Sequence, residues 1–361
     1  MTLTKLLTFG VCLSLGLNAD AQEGLYPPNF SASDELFVQI PTTNVTICYQ
    51  TIGRRTDPAL LLIGGLGSSM MAFNPQLLSL LSPPQDPHYL IRFDLRDTGR
   101  STAFPINEEG KPPQYLLQDM VNDIIGLIDH IGIPVHLAGF SMGGPLGFLT
   151  AAQRPDMVKS MFLMLTSPVG PVSNPDDNLP PIRPNGTELL AGIHAPLLDD
   201  SKEDWMKFLV ESQLVFYTQP PWDVEVTQHR EIAAVIYDRG ITNGTLVSNA
   251  NHGGAAMWEG RWPREAARDV KCPALVVSAE LDQFYDPAHG RALAGDMAGG
   301  HFKLYEDSGH EVPRRIWGKV TGDMLETMAR GDEWWMNRGD DSAQGPSGSS
   351  IVEERRQTIG L

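Results

Sequence analysis

The sequence has few cysteines, and this limits the kinds of scaffold and site that it can form. Only three occur in 361 residues, and the first, Cys12, lies in a segment that we expect to be removed. The remaining two, Cys48 and Cys272, are too few for a small disulfide-stapled fold or for a thiolate-bound metal cluster. The sequence leaves open whether these two cysteines pair with each other.

Basic residues are scarce relative to acidic ones. The chain has 27 Lys and Arg against 44 Asp and Glu, a formal charge of −17, and no block of basic residues interrupts the acidic surface. Such a surface repels polyphosphates, which argues against nucleic acids and anionic membranes as partners. The apolar content of 42% and the length are typical of a globular protein with one large core or two smaller ones.

The apolar run near the N terminus is too short to span a bilayer. This uncharged run, Leu6–Leu17, follows Lys5 and leads into Ala19-Asp20-Ala21, whereas a membrane-spanning helix needs ~20 apolar residues. The pattern predicts a secretory signal peptide at residues 1–21, cleaved after Ala21, and the alternative is a short membrane anchor. We therefore expect a secreted or secretory-pathway lumenal protein, with no stable membrane insertion after cleavage.

Four Asn-X-Ser/Thr sequons agree with a secretory route, because glycosylation of such sites takes place there. We predict a glycoprotein whose acceptor residues are Asn29, Asn44, Asn185 and Asn243.

The order of the apolar segments predicts an α/β fold with a mostly parallel, doubly wound sheet. Two segments with alternating polarity, Leu36–Ile40 and Val45–Ile52, predict a β-hairpin. The strands that follow are continuously apolar and are separated by helical lengths, which is typical of parallel strands buried on both faces. We predict at least five of them: Ala59–Ile63, Tyr89–Phe93, Val135–Ala138, Met161–Leu165 and Ala274–Val277.

The α/β pattern is interrupted once and ends before the C terminus. Residues 22–167 and 271–330 follow it and form the two parts of the predicted core. Residues 168–270 do not, and an insertion of this length with several aromatic segments predicts a helical cap. Residues 331–361 are rich in Gly, Ser, Asp and Arg and predict a flexible tail, although the Trp334-Trp335 pair gives it a means to pack against the body.

A serine in a sharp turn is the first candidate for chemistry. Gly139-Phe-Ser141-Met-Gly143 fits the pattern G-x-S-x-G, directly after a predicted strand and before a predicted helix. In this setting the two glycines permit a turn that holds the serine side chain above the sheet. We predict that Ser141 is a nucleophile rather than part of an ordinary Gly/Ser turn.

A serine hydroxyl needs an imidazole to take its proton and a carboxylate to orient that imidazole. Asp282 follows the strand Ala274–Val277, and His310 comes about one βα unit later, in a Ser-Gly-His-Glu loop. We predict these two residues as the acid and the base. The alternatives are His289 and His301 for the base, and Asp286 and Glu280 for the acid.

Attack on an acyl carbon develops negative charge on its oxygen, which a pair of backbone N–H groups can stabilise. The glycine-rich loop Gly64–Gly67 follows the first buried strand, and we predict the amides of Leu66 and Met142 as the oxyanion hole. The alternative, a phosphate-binding loop, is disfavoured because the segment lacks both the P-loop Lys and the G-x-G-x-x-G spacing. The charged loop Phe93–Ser101 is interpreted as a source of internal salt bridges rather than of chemistry.

From about Ala59 to Arg330 the chain resembles the α/β-hydrolase superfamily, and within it the aclacinomycin methylesterase group. The resemblance rests on Ile91–Thr102, Gly139–Gly144, Cys272–Asp282, Pro287–Gly290 and Ser308–His310, with the order Ser, Asp, His that this fold uses. It implies a Ser141, Asp282 and His310 triad under a cap, and hydrolysis of a carboxylic ester, often the methyl ester of a polyketide-type secondary metabolite. The chain departs from the pattern at Gly64, where many members have His, and in its N-terminal segment, sequons and tail.

We therefore expect a serine hydrolase that cleaves a small, fairly apolar ester through an acyl-enzyme on Ser141 and needs no cofactor or metal. An aminopeptidase-like enzyme or a carbon–carbon bond hydrolase with the same triad would differ mainly in the cap. A non-catalytic ligand-binding homologue is the alternative from another class, although all three triad positions are filled.

Overall fold

The computed structural model of the chain describes residues 31–170, 175–184, 196, 199–218 and 226–338. The predicted signal peptide at residues 1–21 lies outside the described residues, as do Asn29, Asn185 and residues 339–361 of the predicted tail.

One mixed sheet organises the described part of the chain. Its eight strands are β1 (Leu36–Ile40), β2 (Val45–Ile52), β3 (Ala59–Ile63), β4 (Tyr89–Phe93), β5 (Val135–Phe140), β6 (Val158–Met164), β7 (Ala274–Ala279) and β8 (Gly300–Tyr305). They are arranged in the order β1-β2-β4-β3-β5-β6-β7-β8. The β1–β2 and β2–β4 pairs are antiparallel, and the other pairs are parallel. The predicted α/β fold with a mostly parallel sheet is confirmed.

The helices of the described residues flank this sheet or lie in the long insertion. They are α1 (Pro75–Leu81), α2 (Leu117–Ile131), α3 (Gly143–Gln153), α4 (Lys202–Leu214), α5 (Val226–Ile241), α6 (Thr245–Ser248), α7 (Asn251–Met257), α8 (Pro287–Asp296) and α9 (Trp317–Asn337). Within the described ranges, none is both long and apolar enough to cross a membrane.

Cores on both faces of the sheet explain why β3 is continuously apolar. Leu60 and Leu62 belong to one buried cluster, whereas Leu61 and Ile63 belong to the other. Residues of α1 and α9 join the first cluster, and residues of α2, α3 and α8 join the second. Because side chains alternate between the two faces of a strand, every position of β3 must be apolar when both faces are covered.

The edge strand β8 was not among the strands predicted from the sequence. It pairs in parallel with β7 at the end of the sheet, and its residues alternate between partly buried and exposed positions up to the buried Tyr305. An edge strand that is half solvated needs no continuous apolar run, so the pattern that revealed the central strands is absent here.

The predicted boundary of the tail at residue 331 is wrong, because α9 continues to Asn337. Gly331 lies against β6, where a Cβ atom would come within 2.8 Å of the carbonyl oxygen of Lys159. Asp332 pairs with the ammonium group of Lys159, and Trp334 packs against the core cluster of α2 and α3. Packing on the sheet therefore keeps residues 331–337 helical despite a composition typical of a tail.

Both remaining cysteines are buried free thiols. Burial raises the pKa of the Cys272 thiol to about 12 and also raises that of Cys48. Neither thiol is therefore ionised at neutral pH, as a reactive cysteine would be.

Arg239 of α5 ties the insertion between β6 and β7 to the sheet. Its guanidinium group donates to both carboxylate oxygens of Asp94, at 3.1 and 2.7 Å, and to Glu35 at 2.8 Å. Asp94 directly follows β4 and also accepts the backbone N–H groups of Met70 and Arg100. Arg239 and Asp94 are 3% and 0% exposed, so each is the main charge partner available to the other.

Replacing Arg239 by Met should lower the free energy of unfolding by about 3–5 kcal/mol, because Asp94 would keep a buried charge without its counter-ion. A matched control is Arg230→Met on the same helix, where the pair with Glu203 is largely exposed and contributes less than about 1 kcal/mol. Urea unfolding of both variants measures the difference. Equal losses in the two variants would contradict a specific role for the buried pair.

Candidate active site

Ser141 occupies a strained turn between β5 and α3. Its φ is +53°, a region that residues with a side chain rarely adopt, and its N–H donates to the carbonyl of Met164 at 2.9 Å. The side chain is 7% exposed. A non-glycine residue held in this conformation is a form of strain that clusters at functional sites.

The two glycines of the G-x-S-x-G pattern are required by close backbone contacts. A Cβ atom on Gly139 would overlap the carbonyl oxygen of Gly143. A Cβ on Gly143 would overlap the carbonyl oxygen of Ile63 and lie 2.8 Å from that of Gly64. Side chains are thus excluded where the serine turn, the start of α3 and the loop after β3 meet.

The structure brings Ser141, His310 and Asp282 into one hydrogen-bonded chain. His310 Nε2 lies 3.1 Å from Ser141 Oγ, and His310 Nδ1 lies 3.0 and 3.1 Å from the two carboxylate oxygens of Asp282. A carboxylate accepts hydrogen bonds, so the proton of the neutral imidazole belongs on Nδ1 and Nε2 can accept from the serine hydroxyl. His310 and Asp282 are each 2% exposed.

The loop after β7 holds Asp282 and surrounds the imidazole. The Asp282 carboxylate accepts the N–H groups of Phe284 and Tyr285, at 2.7 and 3.0 Å. The ring centroids of Phe284, Phe216 and Tyr285 lie 4.8, 5.7 and 5.9 Å from that of His310. Burial raises the pKa of Tyr285, so it remains a neutral phenol beside the imidazole. Aromatic rings therefore surround the imidazole of His310.

The alternative bases and acids lie elsewhere. His289 is bonded through Nδ1 to Ser167 and through Nε2 to the carbonyl of Pro180, at 2.9 Å each, and burial lowers its pKa. His301 is an exposed residue of β8. Asp286 caps α8, and Glu280 is exposed. Of the candidates, only His310 and Asp282 are joined to Ser141 by the hydrogen bonds of the described residues.

The two predicted oxyanion amides belong to adjacent loops at the same edge of the sheet. Leu66 lies in the loop after β3, and Met142 lies between Ser141 and α3. β3 and β5 are neighbours, with Ile63 paired to Gly139. Both amides therefore follow strands whose carboxyl ends lie side by side, and their function as oxyanion donors stays a prediction.

The charged loop after β4 makes internal ion pairs, as predicted. Arg96 donates to Asp123 at 2.6 Å, and both side chains are buried. Asp97 accepts from the Tyr115 hydroxyl at 2.7 Å and from the side chain of Asn251 at 3.0 Å. Within the described residues this loop thus connects α2 to the insertion.

Two residues near the site were missed by the sequence analysis. Gln283 accepts the N–H of His310 at 3.0 Å and donates to the carbonyl of Phe216 at 3.1 Å, so it links the histidine loop to the insertion. The position of Gln283 next to Asp282 was the only feature of the sequence that could have indicated its place near the site. His252 of α7 accepts the N–H of Gly67 at 2.8 Å, and the sequence carries no signal for a contact between residues so far apart.

The two sequons among the described residues differ in accessibility. Asn44 lies in an exposed turn between β1 and β2. Asn243 is partly buried, and its Nδ2 atom donates to the carbonyl oxygens of Ser101 and Gly99 at 2.6 and 3.4 Å. In the folded structure, the atom that would carry an N-linked glycan is thus engaged at Asn243, whereas Asn44 is exposed.

Comparisons with known proteins identify similar chains. A family profile described as "Alpha/beta hydrolase family" matches residues 60–315. The rhodomycin D methylesterase DauP of Streptomyces sp. (strain C5) is 25% identical over 299 residues, covering 77% of this chain and 93% of DauP. The mouse sn-1-specific diacylglycerol lipase ABHD11 is 31% identical, covering 78% of this chain and 77% of the lipase. Among solved structures, the esterase EaEST from Exiguobacterium antarcticum matches with a TM-score of 0.59 at 18% identity, covering 81% of this chain and 98% of EaEST.

Replacing Gly143 by Ala should destabilise the protein by about 1–3 kcal/mol, because the new methyl group meets the Ile63 and Gly64 carbonyls. The matched control is Gly322→Ala in α9, where the added Cβ meets no atom within 4 Å apart from its own stretch of helix backbone, and which should stabilise by about 0.5–1 kcal/mol. Denaturant unfolding of the two variants provides the comparison. A Gly143 variant as stable as the wild type would show that the two loops do not need this contact.

Proposed function

The chain belongs to the alpha/beta hydrolase family, and from this premise we propose that it is a serine hydrolase that cleaves a carboxylic ester of a small, fairly apolar molecule. The observation that carries the proposal is the buried chain from Ser141 Oγ through His310 to Asp282, with bonds of 3.0–3.1 Å. Serine, imidazole and carboxylate in this order are the groups that acyl transfer requires.

In the first half of the reaction Ser141 Oγ forms a bond to the ester carbonyl carbon, and its proton passes to His310 Nε2. Asp282 holds the imidazole in the tautomer that can accept this proton and stabilises the resulting imidazolium. The bond to the alcohol oxygen then breaks, the alcohol leaves with the proton from His310, and the acyl group stays on Ser141. In the second half water attacks the acyl-enzyme by the same proton path and releases the carboxylic acid.

The N–H groups of Leu66 and Met142 are proposed to stabilise the oxyanion formed in each half. Support for this assignment comes from their positions after the adjacent strands β3 and β5, and from the contact of Gly143 with the loop that carries Leu66. Preset backbone donors need no reorganisation as the charge develops, which is why they contribute strongly to acyl transfer.

The proposed ester is apolar near the reacting bond because aromatic rings enclose the imidazole. The names of two similar proteins, a rhodomycin D methylesterase and a diacylglycerol lipase, support an oxygen ester rather than an amide. Within this class we propose a methyl ester of a small metabolite. The similarity to the methylesterase DauP, which extends over 77% of the chain, supports this proposal.

Replacing Ser141 by Ala should lower ester turnover by roughly 10⁴-fold or more and abolish labelling by a fluorophosphonate probe, because the nucleophile is removed. Replacing His310 by Ala should also abolish labelling, since the serine would lose its base. Peptide mapping of the labelled site and hydrolysis of a panel of methyl esters, peptides and carbon–carbon substrates provide the measurements.

The matched control is Ser167→Ala, because Ser167 is the serine of a second buried pair with a histidine, 2.9 Å from His289. This variant should retain the label on Ser141. A folded wild-type protein that the probe does not label would contradict the proposed mechanism and favour a ligand-binding homologue. Cleavage of peptides in preference to esters would favour a peptidase with the same triad.

We further propose that the protein enters the secretory pathway through residues 1–21 and carries a glycan on Asn44. Expression of the full chain in a eukaryotic secretory host should give a mature N terminus at Gln22 and an N-linked glycan on Asn44. Asn243 should be unmodified in the folded product, because a glycan on its Nδ2 atom does not fit the two hydrogen bonds that this atom makes in the folded protein. Mass spectrometry after enzymatic removal of glycans identifies the mature N terminus and the modified asparagines. A glycan found on Asn243 would contradict the predicted difference between Asn44 and Asn243.

A further inference from the structure

His252 of the insertion makes two hydrogen bonds to the core with its two ring nitrogens. Nδ1 lies 2.8 Å from the backbone nitrogen of Gly67, and Nε2 lies 2.6 Å from the carbonyl oxygen of Arg96. The side chain is 0% exposed. Both loops that it contacts follow central strands, Gly67 after β3 and Arg96 after β4.

These two partners determine the protonation state of His252. The N–H of Gly67 can only donate, so Nδ1 must be an unprotonated acceptor. The Arg96 carbonyl can only accept, so Nε2 must carry the proton. Burial lowers the pKa of His252, which keeps the ring in this neutral tautomer. The imidazole is thus a fixed bridge between the two loops.

The bond to Gly67 acts on the peptide group next to Leu66. The segment Gly65–Ser68 forms a turn in which the N–H of Ser68 donates to the carbonyl of Gly65 at 3.1 Å and Gly67 has a φ of +68°. This is the arrangement of a type II turn, in which glycine is favoured at the third position. His252 holds the N–H of the central peptide of the turn, which joins Leu66 to Gly67.

Both peptide groups flanking Leu66 are therefore held by hydrogen bonds. The turn bond from Ser68 holds the Gly65 carbonyl, which belongs to the same planar peptide as the N–H of Leu66. His252 holds the next peptide and prevents it from rotating. Without this acceptor the central peptide of a type II turn can reverse its direction, and the turn that places the Leu66 N–H is held by the Ser68 bond alone.

We propose that His252 is a positioning residue that the insertion supplies to the oxyanion loop. The inference rests on the proposed function, since it assigns Leu66 to the oxyanion hole. Charge develops on the substrate oxygen only in the transition state. Loss of His252 should therefore weaken stabilisation of the transition state more than it weakens substrate binding.

Two conservative substitutions separate the two bonds. His252→Asn places an amide oxygen near the position of Nδ1 and can still accept from Gly67, but it does not reach Arg96. His252→Gln places its amide near the position of Nε2 and can still donate to Arg96, but it leaves the Gly67 N–H without an acceptor. Both variants lose the ring and one hydrogen bond, so they serve as controls for each other.

The Gln variant should lose about 10-fold to 100-fold in kcat, less than the 10²–10³-fold typical for loss of an oxyanion donor, with KM within about twofold of wild type. The Asn variant should lose at least tenfold less kcat than the Gln variant. Affinity for a trifluoromethyl ketone, which forms a tetrahedral oxyanion adduct with Ser141, should fall in parallel with kcat/KM. Thermal unfolding should shift to a similar extent in the two variants, because each has lost one buried bond.

Equal kcat values in the two variants, or losses of kcat that follow only the loss of stability, would overturn the role of His252. This result is distinguishable from failure of the proposed function, which would appear as a wild-type protein that the fluorophosphonate does not label at Ser141. In that case the positioning role of His252 is wrong as well.

Discussion

Gly143 packs against the carbonyl oxygens of Ile63 and Gly64, and the geometry of the whole site depends on this contact between two backbones. It is possible only because β3 and β5 are neighbours in the sheet and because neither loop places a side chain between them. The contact fixes where the strained Ser141 lies relative to the loop that carries Leu66. Close packing of this kind leaves no room for small adjustments, so the site is rigid on its core side.

The other side of the site is built by the insertion. Phe216 packs on the ring of His310, and Gln283 bonds to the backbone of both residues. His252 contacts the loop after β3, and Arg239 contacts Asp94 after β4. The insertion is therefore bonded through buried polar side chains to the loops after β3 and β4, and it packs against the histidine through Phe216.

Much of the site could be predicted from the sequence, because its signals are local. The two glycines around Ser141 and the acid after a buried strand are visible in short segments, and the structure joins Ser141, Asp282 and His310 by hydrogen bonds. The contribution of His252 was not predictable, since it depends on a contact between residues 185 positions apart. β8 and the end of α9 were missed for another reason. Whether an edge strand or the end of a helix forms there depends on tertiary contacts rather than on local composition.

On the proposed mechanism, the long sequence separation within the site also determines when the chain becomes reactive. Ser141 and His310 are 169 positions apart, and Asp282 precedes the histidine by only 28. A nascent chain therefore contains the proposed nucleophile long before it contains the two groups proposed to activate it. On this mechanism a chain that ends before the histidine loop lacks the base that activates Ser141, and reactivity begins only once the last parallel strands, whose non-local pairing makes them slow to form, are complete.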